Sequence, residues 1–239
     1  MSKLPSHSPT LGFEGLTLYQ SDVNYLAPGR WINDNILSFM MLYYRHLHPN
    51  LNISFVQPSA VMLLKLASPE DAKQVVTSSK FSTSDLVIMA VSDASLAEAS
   101  IVEAGSHWSV LVYYRKDHIF YHFDSLQGHN SEVASELALS ISELLNISKV
   151  AMFEDLACEQ QTNGYDCGVF CVVFFYRIVQ AYMESLKENA QSFDVLLREY
   201  AMGQILAIKT RKYVWDCIVE VISEVEQKEK VSIGLLPPC

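Results

Sequence analysis

The sequence lacks the patterns of a secreted or disulfide-stabilised protein. It has five cysteines, an odd number, and no two of them are spaced as Cys-x-x-Cys. The first fifteen residues, MSKLPSHSPTLGFEG, contain no apolar run of the signal-peptide type. Secretory leaders and disulfide frameworks are recognised by these two features. We therefore expect free thiols and a location in the cytoplasm, the nucleus or both.

Positive charge and long apolar runs are also scarce. Lys and Arg number 17 against 27 Asp and Glu, which leaves a net charge of −10. Because contact with a phosphate backbone needs clustered Lys and Arg, we expect no nucleic-acid partner. The longest apolar run, residues 169–176, is too short to cross a bilayer, so we expect no membrane association either.

The chain has enough apolar material for one core. Its 239 residues are 50% hydrophobic, which suits a single domain that needs no disulfide or metal for stability, and we expect a monomer without cofactors. The Ser-, Pro- and Gly-rich start predicts a disordered segment at residues 1–14. We expect one folded domain over 15–228 and a C-terminal tail over 229–239.

Hydrophobic periodicity predicts helices and strands that are partly segregated along the chain. The predicted helices begin near Trp31, with Asn33 or Asp34 in the first turn, and continue at 58–66, 69–76, 132–145, 167–186 and around 214–225. The predicted strands cover 86–91, 107–114, 119–123 and 150–153. A short turn joins the second of these strands to the third, which predicts a hairpin. This arrangement predicts the α+β class.

Cys167 is the strongest candidate for a reactive residue. It follows the turn-like segment TNGYD and begins a strongly apolar predicted helix. Backbone N–H groups at a helix N-terminus stabilise a thiolate, which is the nucleophilic form of cysteine. Gly168, directly after it, is expected to keep the approach to the sulfur open.

His107 and Asp124 are the candidate base and its orienting residue. His107 opens one strand of the predicted hairpin and Asp124 closes the other, so antiparallel pairing brings them to the same end. Asp124 is then expected to orient the imidazole, and the imidazolium to support the Cys167 thiolate. Gln161, six residues before Cys167, is a candidate hydrogen-bond donor to the oxyanion of a tetrahedral intermediate.

These residues also have structural interpretations. A lone cysteine inside a protein is most often a small core hydrophobe. His122 is a rival base, but it shares a strand face with Asp124, and we interpret it as structural. Cys158, Cys167 and Cys171 match no usual zinc spacing, so we predict no metal site.

Four segments together resemble the catalytic blocks of the ubiquitin-like-protein-specific proteases, the sentrin/SUMO/NEDD protease group. They are WIND at 31–34, GSHWS at 105–109, FDS at 123–125 and QQTNGYDCG at 160–168. They follow the family's order at similar spacing, between about residues 17 and 225. The segment LYQSDVNYLAPGRWINDNIL, residues 18–37, is most similar to the short deneddylase type.

The resemblance implies a papain-like cysteine protease fold, with a central mixed sheet flanked by helices. It implies that His107 is the base, Asp124 its orienting residue, Cys167 the nucleophile and Gln161 the oxyanion donor.

The resemblance also implies three substrate-binding residues. Trp31 and Trp108 match tryptophans that sandwich the Gly-Gly tail of the modifier, and Asp34 matches an acidic residue that contacts the tail region. A diglycine has no side chains, so a narrow aromatic slot admits it and excludes bulkier residues.

The implied function is cleavage after the C-terminal Gly-Gly of a ubiquitin-like modifier. The NEDD/RUB type is the expected modifier, in deneddylation of conjugates or in precursor processing, and the expected partners are this modifier and its conjugates. The alternatives are a SUMO-specific protease with the same mechanism, a non-catalytic modifier-binding module, and an acyltransferase. The segment 92–105 is longer and poorer in glycine than the deneddylase type leads us to expect, so modifier preference is where this protein is expected to differ.

Overall fold

The computed structural model describes residues 9–95, 105–147 and 152–232. The strands are β1 (Pro9–Phe13), β2 (Leu16–Tyr19), β3 (Ile53–Val56), β4 (Leu86–Ser92), β5 (Trp108–Tyr114), β6 (Ile119–Phe123) and β7 (Met152–Leu156). The helices are α1 (Gln20–Val23), α2 (Asp34–Leu47), α3 (Pro58–Leu66), α4 (Pro69–Ser78), α5 (Ser131–Leu144), α6 (Cys167–Ser185), α7 (Phe193–Ala201) and α8 (Ala207–Ser232). A short 3-10 helix covers Asn24–Leu26.

Five strands form a central mixed sheet in the order β3-β4-β5-β6-β7. The two outer pairs are parallel, and the central strands pair antiparallel. The predicted hairpin is confirmed, because β5 and β6 pair from Tyr114 opposite Ile119 to Val110 opposite Phe123. A separate two-stranded sheet joins β1 to β2.

Helices cover both faces of the central sheet. All seven residues of β4 are buried. Its six apolar residues alternate between two apolar clusters: Leu86, Ile88 and Ala90 on one face, and Val87, Met89 and Val91 on the other. The larger cluster contains residues of α2, α6, α7 and α8, and the smaller one contains residues of α3, α4 and α5. The predicted α+β class, with a mixed sheet flanked by helices, is confirmed.

The N-terminus of α2 shows how local sequence starts an element. The side chain of Asn33 accepts a hydrogen bond from the backbone N–H of Ile36 at 3.1 Å, so Asn33 caps the helix and Asp34 fills its first turn. Capping places the WIND segment directly at the helix start.

Helix α6 is the one helix in the described ranges that is long and apolar enough to cross a membrane by length and composition. However, 67% of its apolar window is buried inside the molecule. Its side chains pack against the sheet and against α7, so it is a core helix of this fold.

Three expectations from the sequence need correction. Residues 9–13 were predicted to be disordered but form β1, which pairs with β2; residues 1–8 lie outside the described residues. The predicted tail at 229–239 begins inside α8, which continues to Ser232. The predicted strand at 150–153 corresponds to β7, which continues to Leu156, three residues beyond the predicted end. Residues 150–151 and 96–104 lie outside the described residues.

Candidate active site

The β5–β6 hairpin brings His107 and Asp124 together. His107 directly precedes β5 and Asp124 directly follows β6, so the antiparallel register places both at one end of the pair. The imidazole Nε2 lies 2.6 Å from Asp124 Oδ1, and both side chains are buried. The contact that the hairpin predicted is present.

The carboxylate of Asp124 is held by the backbone that follows it. Its Oδ1 accepts the N–H of Leu126 and its Oδ2 accepts the N–H of Asn130, each at 2.9 Å. Burial alone raises the pKa of Asp124, but the hydrogen bond from His107 and these two backbone N–H groups outweigh burial and hold the pKa below its usual value. Asp124 is therefore a fixed anion beside the imidazole.

The electrostatics of His107 favour the imidazolium. Burial alone lowers the pKa of His107, but hydrogen bonds with Asp124 and Cys167 outweigh burial and raise the pKa to about 9. The imidazole is therefore protonated at neutral pH. A protonated imidazole beside a thiol is the partner that stabilises the thiolate.

Cys167 is the first residue of α6, and its side chain lies close enough to the imidazole of His107 to raise the pKa of that ring. The residue is only 1% exposed. The N–H groups of the first helical turn point toward this end of α6 and favour negative charge there. The structure thus brings together the three residues that the sequence singled out as nucleophile, base and orienting residue.

Gly168 permits a close contact at the start of α6. A Cβ at this position would lie 2.8 Å from Cβ of Ile32 and 3.3 Å from the Ile32 carbonyl oxygen. The glycine therefore allows the segment after Trp31 to pack directly against the first turn of α6. That Gly168 also keeps the approach to the sulfur open stays a prediction.

Gln161 lies in the segment between β7 and α6, partly exposed. Its backbone N–H donates to the carbonyl of Ser125 at 2.8 Å, and its Oε1 accepts from Ser125 Oγ at 2.7 Å. Its Nε2 donates to the carbonyl of Asn163 at 2.6 Å. Because an amide nitrogen carries two hydrogens, this contact orients the group and leaves a second N–H as the candidate oxyanion donor.

A cleft of about 780 Å³ contains the residues predicted to bind substrate. Trp31, Asp34 and Trp108 all line it, together with the base His107. Trp31 is 44% exposed, and Trp108 is half-buried. Two partly exposed aromatic side chains line the cleft that also contains the candidate base His107. This arrangement suits the binding of an extended chain with small side chains.

Asp93, just after β4, is a residue that sequence reasoning missed. Its Oδ1 accepts the backbone N–H of Ser106 at 2.6 Å and that of His107 at 3.0 Å. The ring of His129 lies edge-on to the ring of His107, with centroids 4.9 Å apart, and its Nε2 is 3.4 Å from Asp93 Oδ2. Asp93 therefore fixes the backbone that carries the base, a contact without any local sequence signal.

Asn130 is a second missed residue, fully buried at the start of α5. Its backbone N–H holds Asp124, while its side-chain Nδ2 donates to the carbonyl of Val91 at 3.2 Å and to Ser109 Oγ at 3.0 Å. It thus ties the ends of β4 and β5 to the carboxylate.

His122, the rival base, is separate from this cluster. It is fully buried, and its Nδ1 lies 2.6 Å from Asp155 Oδ1 on β7. Its ring packs against Phe153 with centroids 5.8 Å apart. These contacts support the structural interpretation of His122.

The other cysteines near Cys167 are buried and neutral. Burial raises the pKa of Cys158 to about 12 and that of Cys171 well above its ordinary value. All four cysteines in the described ranges are free thiols. Over residues 9–95, 105–147 and 152–232, no group of three or more His, Cys, Asp or Glu side chains is arranged to hold a metal ion.

The amino-acid sequence matches a known protein family. A profile of the Ulp1 protease family, C-terminal catalytic domain, matches residues 30–209, which include every site residue named above as predicted. NEDD8-specific protease 1 of Arabidopsis thaliana is 33% identical over 161 residues, which cover 67% of this chain and 70% of that protein. Human sentrin-specific protease 8 is 30% identical over 185 residues, which cover 75% of this chain and 85% of that protein.

Solved structures share the fold. The C-terminal Ulp1 protease domain, solved in complex with Smt3, the yeast ortholog of SUMO, superposes with a TM-score of 0.61 at 18% identity. The match covers 90% of this chain and 88% of that one. At this identity the likeness concerns the fold alone.

Proposed function

Because the chain belongs to the Ulp1 protease family, we propose that it is a cysteine protease of the deneddylase type, which cleaves after the C-terminal glycine of a NEDD8-like modifier. The observation that carries this function is the row of Asp124, His107 and Cys167: the first two are 2.6 Å apart, and the Cys167 side chain lies close enough to the imidazole to raise its pKa. A base fixed by a carboxylate, beside a thiol at a helix N-terminus, is the arrangement that activates a cysteine nucleophile.

The substrate tail binds in the cleft between Trp31 and Trp108. The two rings can enclose a diglycine from both sides, since glycine carries no side chain to collide with them. Asp34 lines the same cleft, and we expect it to contact the tail region. The globular body of the modifier then remains outside the cleft.

The chemistry has two halves. The Cys167 thiolate attacks the terminal glycine carbonyl, and Gln161 and the backbone N–H of Cys167 bind the developing oxyanion. The imidazolium of His107 donates its proton to the leaving amine as the carbon–nitrogen bond breaks, which leaves a thioester. Water then attacks the thioester, His107 accepts a proton from it, and the modifier leaves with a free carboxylate.

The relatives favour NEDD8 over SUMO as the modifier. The relatives at 30% and 33% identity are named as a sentrin-specific protease 8 and a NEDD8-specific protease. Solved structures of SUMO proteases match at 17–19% identity, where the likeness concerns the fold alone. A NEDD8-like modifier and its conjugates are therefore the proposed partners, and the cytoplasm or nucleus stays the predicted location.

Initial cleavage rates on C-terminal fluorophore fusions of NEDD8, SUMO and ubiquitin test this function. We expect fast release from the NEDD8 fusion, slow release from the others, and none with Cys167→Ala. Cys217→Ala is the matched control, because Cys217 is equally buried but lies on α8 in the apolar core. It should keep the wild-type rate per folded molecule.

The other outcomes are informative as well. Fast release from SUMO alone would keep the chemistry and reject the proposed modifier. Binding of a modifier without any release, and without labelling of Cys167 by a diglycine-derived electrophile, would favour the non-catalytic binding module. Labelling of Cys167 by acetyl-CoA would favour the acyltransferase.

A further inference from the structure

Helix α8 contributes a buried arginine to the back of the active site. Arg211 is 4% exposed, and its guanidinium contacts two parts of the chain that are far apart in sequence. Nη1 donates to the carbonyls of Tyr25 at 2.9 Å and Ala27 at 3.3 Å. Nη2 donates to the carbonyl of Arg30 and to Oδ1 of Asp166, each at 2.6 Å.

These acceptors adjoin the substrate slot and the nucleophile. The carbonyl of Arg30 belongs to the peptide bond that leads into Trp31, one wall of the proposed tail slot. Asp166 directly precedes Cys167, and its second oxygen accepts from Asn163 Nδ2 at 2.8 Å. One rigid planar group therefore holds the residue before Trp31 and the residue before Cys167 in a fixed relation.

We propose that Arg211 is a positioning residue, which sets the distance between the Trp31 wall of the tail slot and the Cys167 nucleophile. The proposal rests on the proposed function, since it concerns how the bound tail meets the thiol. It makes the C-terminal helix a part of the active site, although no residue of α8 lines the cleft.

The chemistry of the guanidinium suits this role. Its two terminal nitrogens present four N–H groups in one plane, which here meet three carbonyls and one carboxylate. A lysine has the same charge, but its donors radiate from a single nitrogen that cannot reach both ends of this span. A buried ion pair is also a weak source of net stability, because both charges lose their hydration. Stability alone therefore gives little reason for this arrangement.

The test compares Arg211→Lys and Arg211→Met with the wild-type protein on the fusion that the wild type cleaves. Lys212→Met is the matched control, because Lys212 is the next residue on α8 and pairs with Asp216 at the surface. Four quantities are measured for each protein: the melting temperature, kcat and KM, the rate of Cys167 alkylation by iodoacetamide, and backbone hydrogen exchange of the segment 25–31.

We expect Arg211→Lys to lower kcat by about 10- to 100-fold, because a misplacement of about 1 Å in a reacting pair costs that much. KM should change by less than about threefold, since most contacts with the modifier body are untouched. Iodoacetamide needs no tail slot, so alkylation of Cys167 should stay within about threefold of wild type. Exchange in segment 25–31 should rise, and Lys212→Met should match the wild type throughout.

Several results would overturn the proposal. Unchanged exchange in segment 25–31 with Arg211→Lys would show that the guanidinium does not fix this segment, whether or not the wild type cleaves any fusion. An activity loss that only follows the folded fraction would reduce Arg211 to a stabilising residue. Equal losses in alkylation and cleavage would place its effect on the thiol rather than on the slot. Absence of cleavage by the wild type, with raised exchange in the variant, would reject the proposed function and leave the structural link intact.

Discussion

At the scale of single residues, the protonation state of His107 governs the chemistry. Its pKa of about 9 is the net result of two opposing effects. Burial lowers the pKa, and the hydrogen bonds with Asp124 and Cys167 raise it by a larger amount. The active form needs the imidazolium to support the thiolate, so activity should fall as the pH rises past about 9.

Asp124→Asn tests this assignment. The amide still accepts a hydrogen bond from the imidazole but carries no charge, so the alkaline limb of kcat/KM should move to lower pH. The rate at neutral pH should fall on the order of 10- to 100-fold, because the imidazolium loses its counter-charge. The measurement is kcat/KM on the cleaved fusion from pH 6 to about pH 10.

Asp155→Asn is the matched control for that profile. Asp155 forms the other buried-histidine contact of the central sheet, with His122 at 2.6 Å. Its replacement should leave the alkaline limb near 9, where His107 titrates. An alkaline limb that stays in place with Asp124→Asn, or that moves equally with Asp155→Asn, would show that Asp124 does not set the charge of the base.

The residues that sequence reasoning found differ from those it missed in chain separation. His107 and Asp124 are joined by one hairpin, whose short turn and two apolar strands are visible in the sequence, so their meeting follows from strand geometry. Arg211 and the carbonyl of Arg30 lie 181 residues apart, and only the packing of α8 on the rest of the molecule brings them together. No periodicity or spacing signals a contact of that kind.

At the scale of elements, the approach of the WIND segment to α6 depends on a missing side chain. Gly168→Ala places a Cβ 2.8 Å from Ile32 Cβ, so the segment or the helix must shift. We expect a stability loss of about 1–3 kcal/mol, typical of overpacking, and a fall in kcat because Trp31 adjoins the displaced residue. Chemical denaturation and cleavage kinetics measure the two effects.

Gly12→Ala is the control for that substitution. A Cβ at Gly12 meets no atom within 4 Å, so its stability should stay within about 0.5 kcal/mol of wild type. Wild-type stability and kcat in Gly168→Ala would mean that the first turn of α6 and the WIND segment can separate without consequence.

Elements with a strong signal in their own sequence were predicted, whereas the short strands β1 and β3 were not. Helices α3 and α4 begin at Pro58 and Pro69, a strong start signal, and the buried strand β4 is one continuous apolar run. Strands β1 and β3 are only five and four residues long. Each is held by pairing with one neighbour, β2 or β4, and this pairing is a tertiary interaction without a pattern in the strand's own sequence.

At the scale of the whole molecule, the active site is assembled where both apolar layers reach one end of the sheet. The nucleophile comes from α6, in the larger cluster, while the base and its carboxylate come from the ends of β5 and β6 and are fastened by Asn130 at the start of α5. The site therefore forms only when both layers are packed, and its charges contribute to the stability of the fold as well as to catalysis.

This coupling predicts how stability depends on pH. The folded-state pKa of His107 is raised from 6.5 to about 9, so its contribution is fully present below pH 6.5 and is lost as the pH rises toward 9. The pKa of Cys158 is raised from 9.0 to about 12, and its contribution is lost only above pH 9.0. The pKa values of Asp124 and Asp93 are lowered from 3.8, so their contributions are present above that pH and are lost as the pH falls below it.

The melting temperature should therefore be highest between about pH 4 and pH 6.5 and should decline from there toward pH 9.

His107→Gln tests whether His107 causes the alkaline decline in melting temperature. The variant should be less stable at pH 5, because Asp124 loses its buried partner, but its melting temperature should change little between pH 6.5 and 8.5, before the cysteines of the unfolded chain ionise. Thermal melts of both proteins from pH 5 to pH 8.5 measure the effect. If the melting temperature of the variant declines as steeply as that of the wild type from pH 6.5 to 8.5, the charge of the imidazole is not linked to folding. The contacts with Asp124 and Cys167 would then not be what raises the pKa of His107.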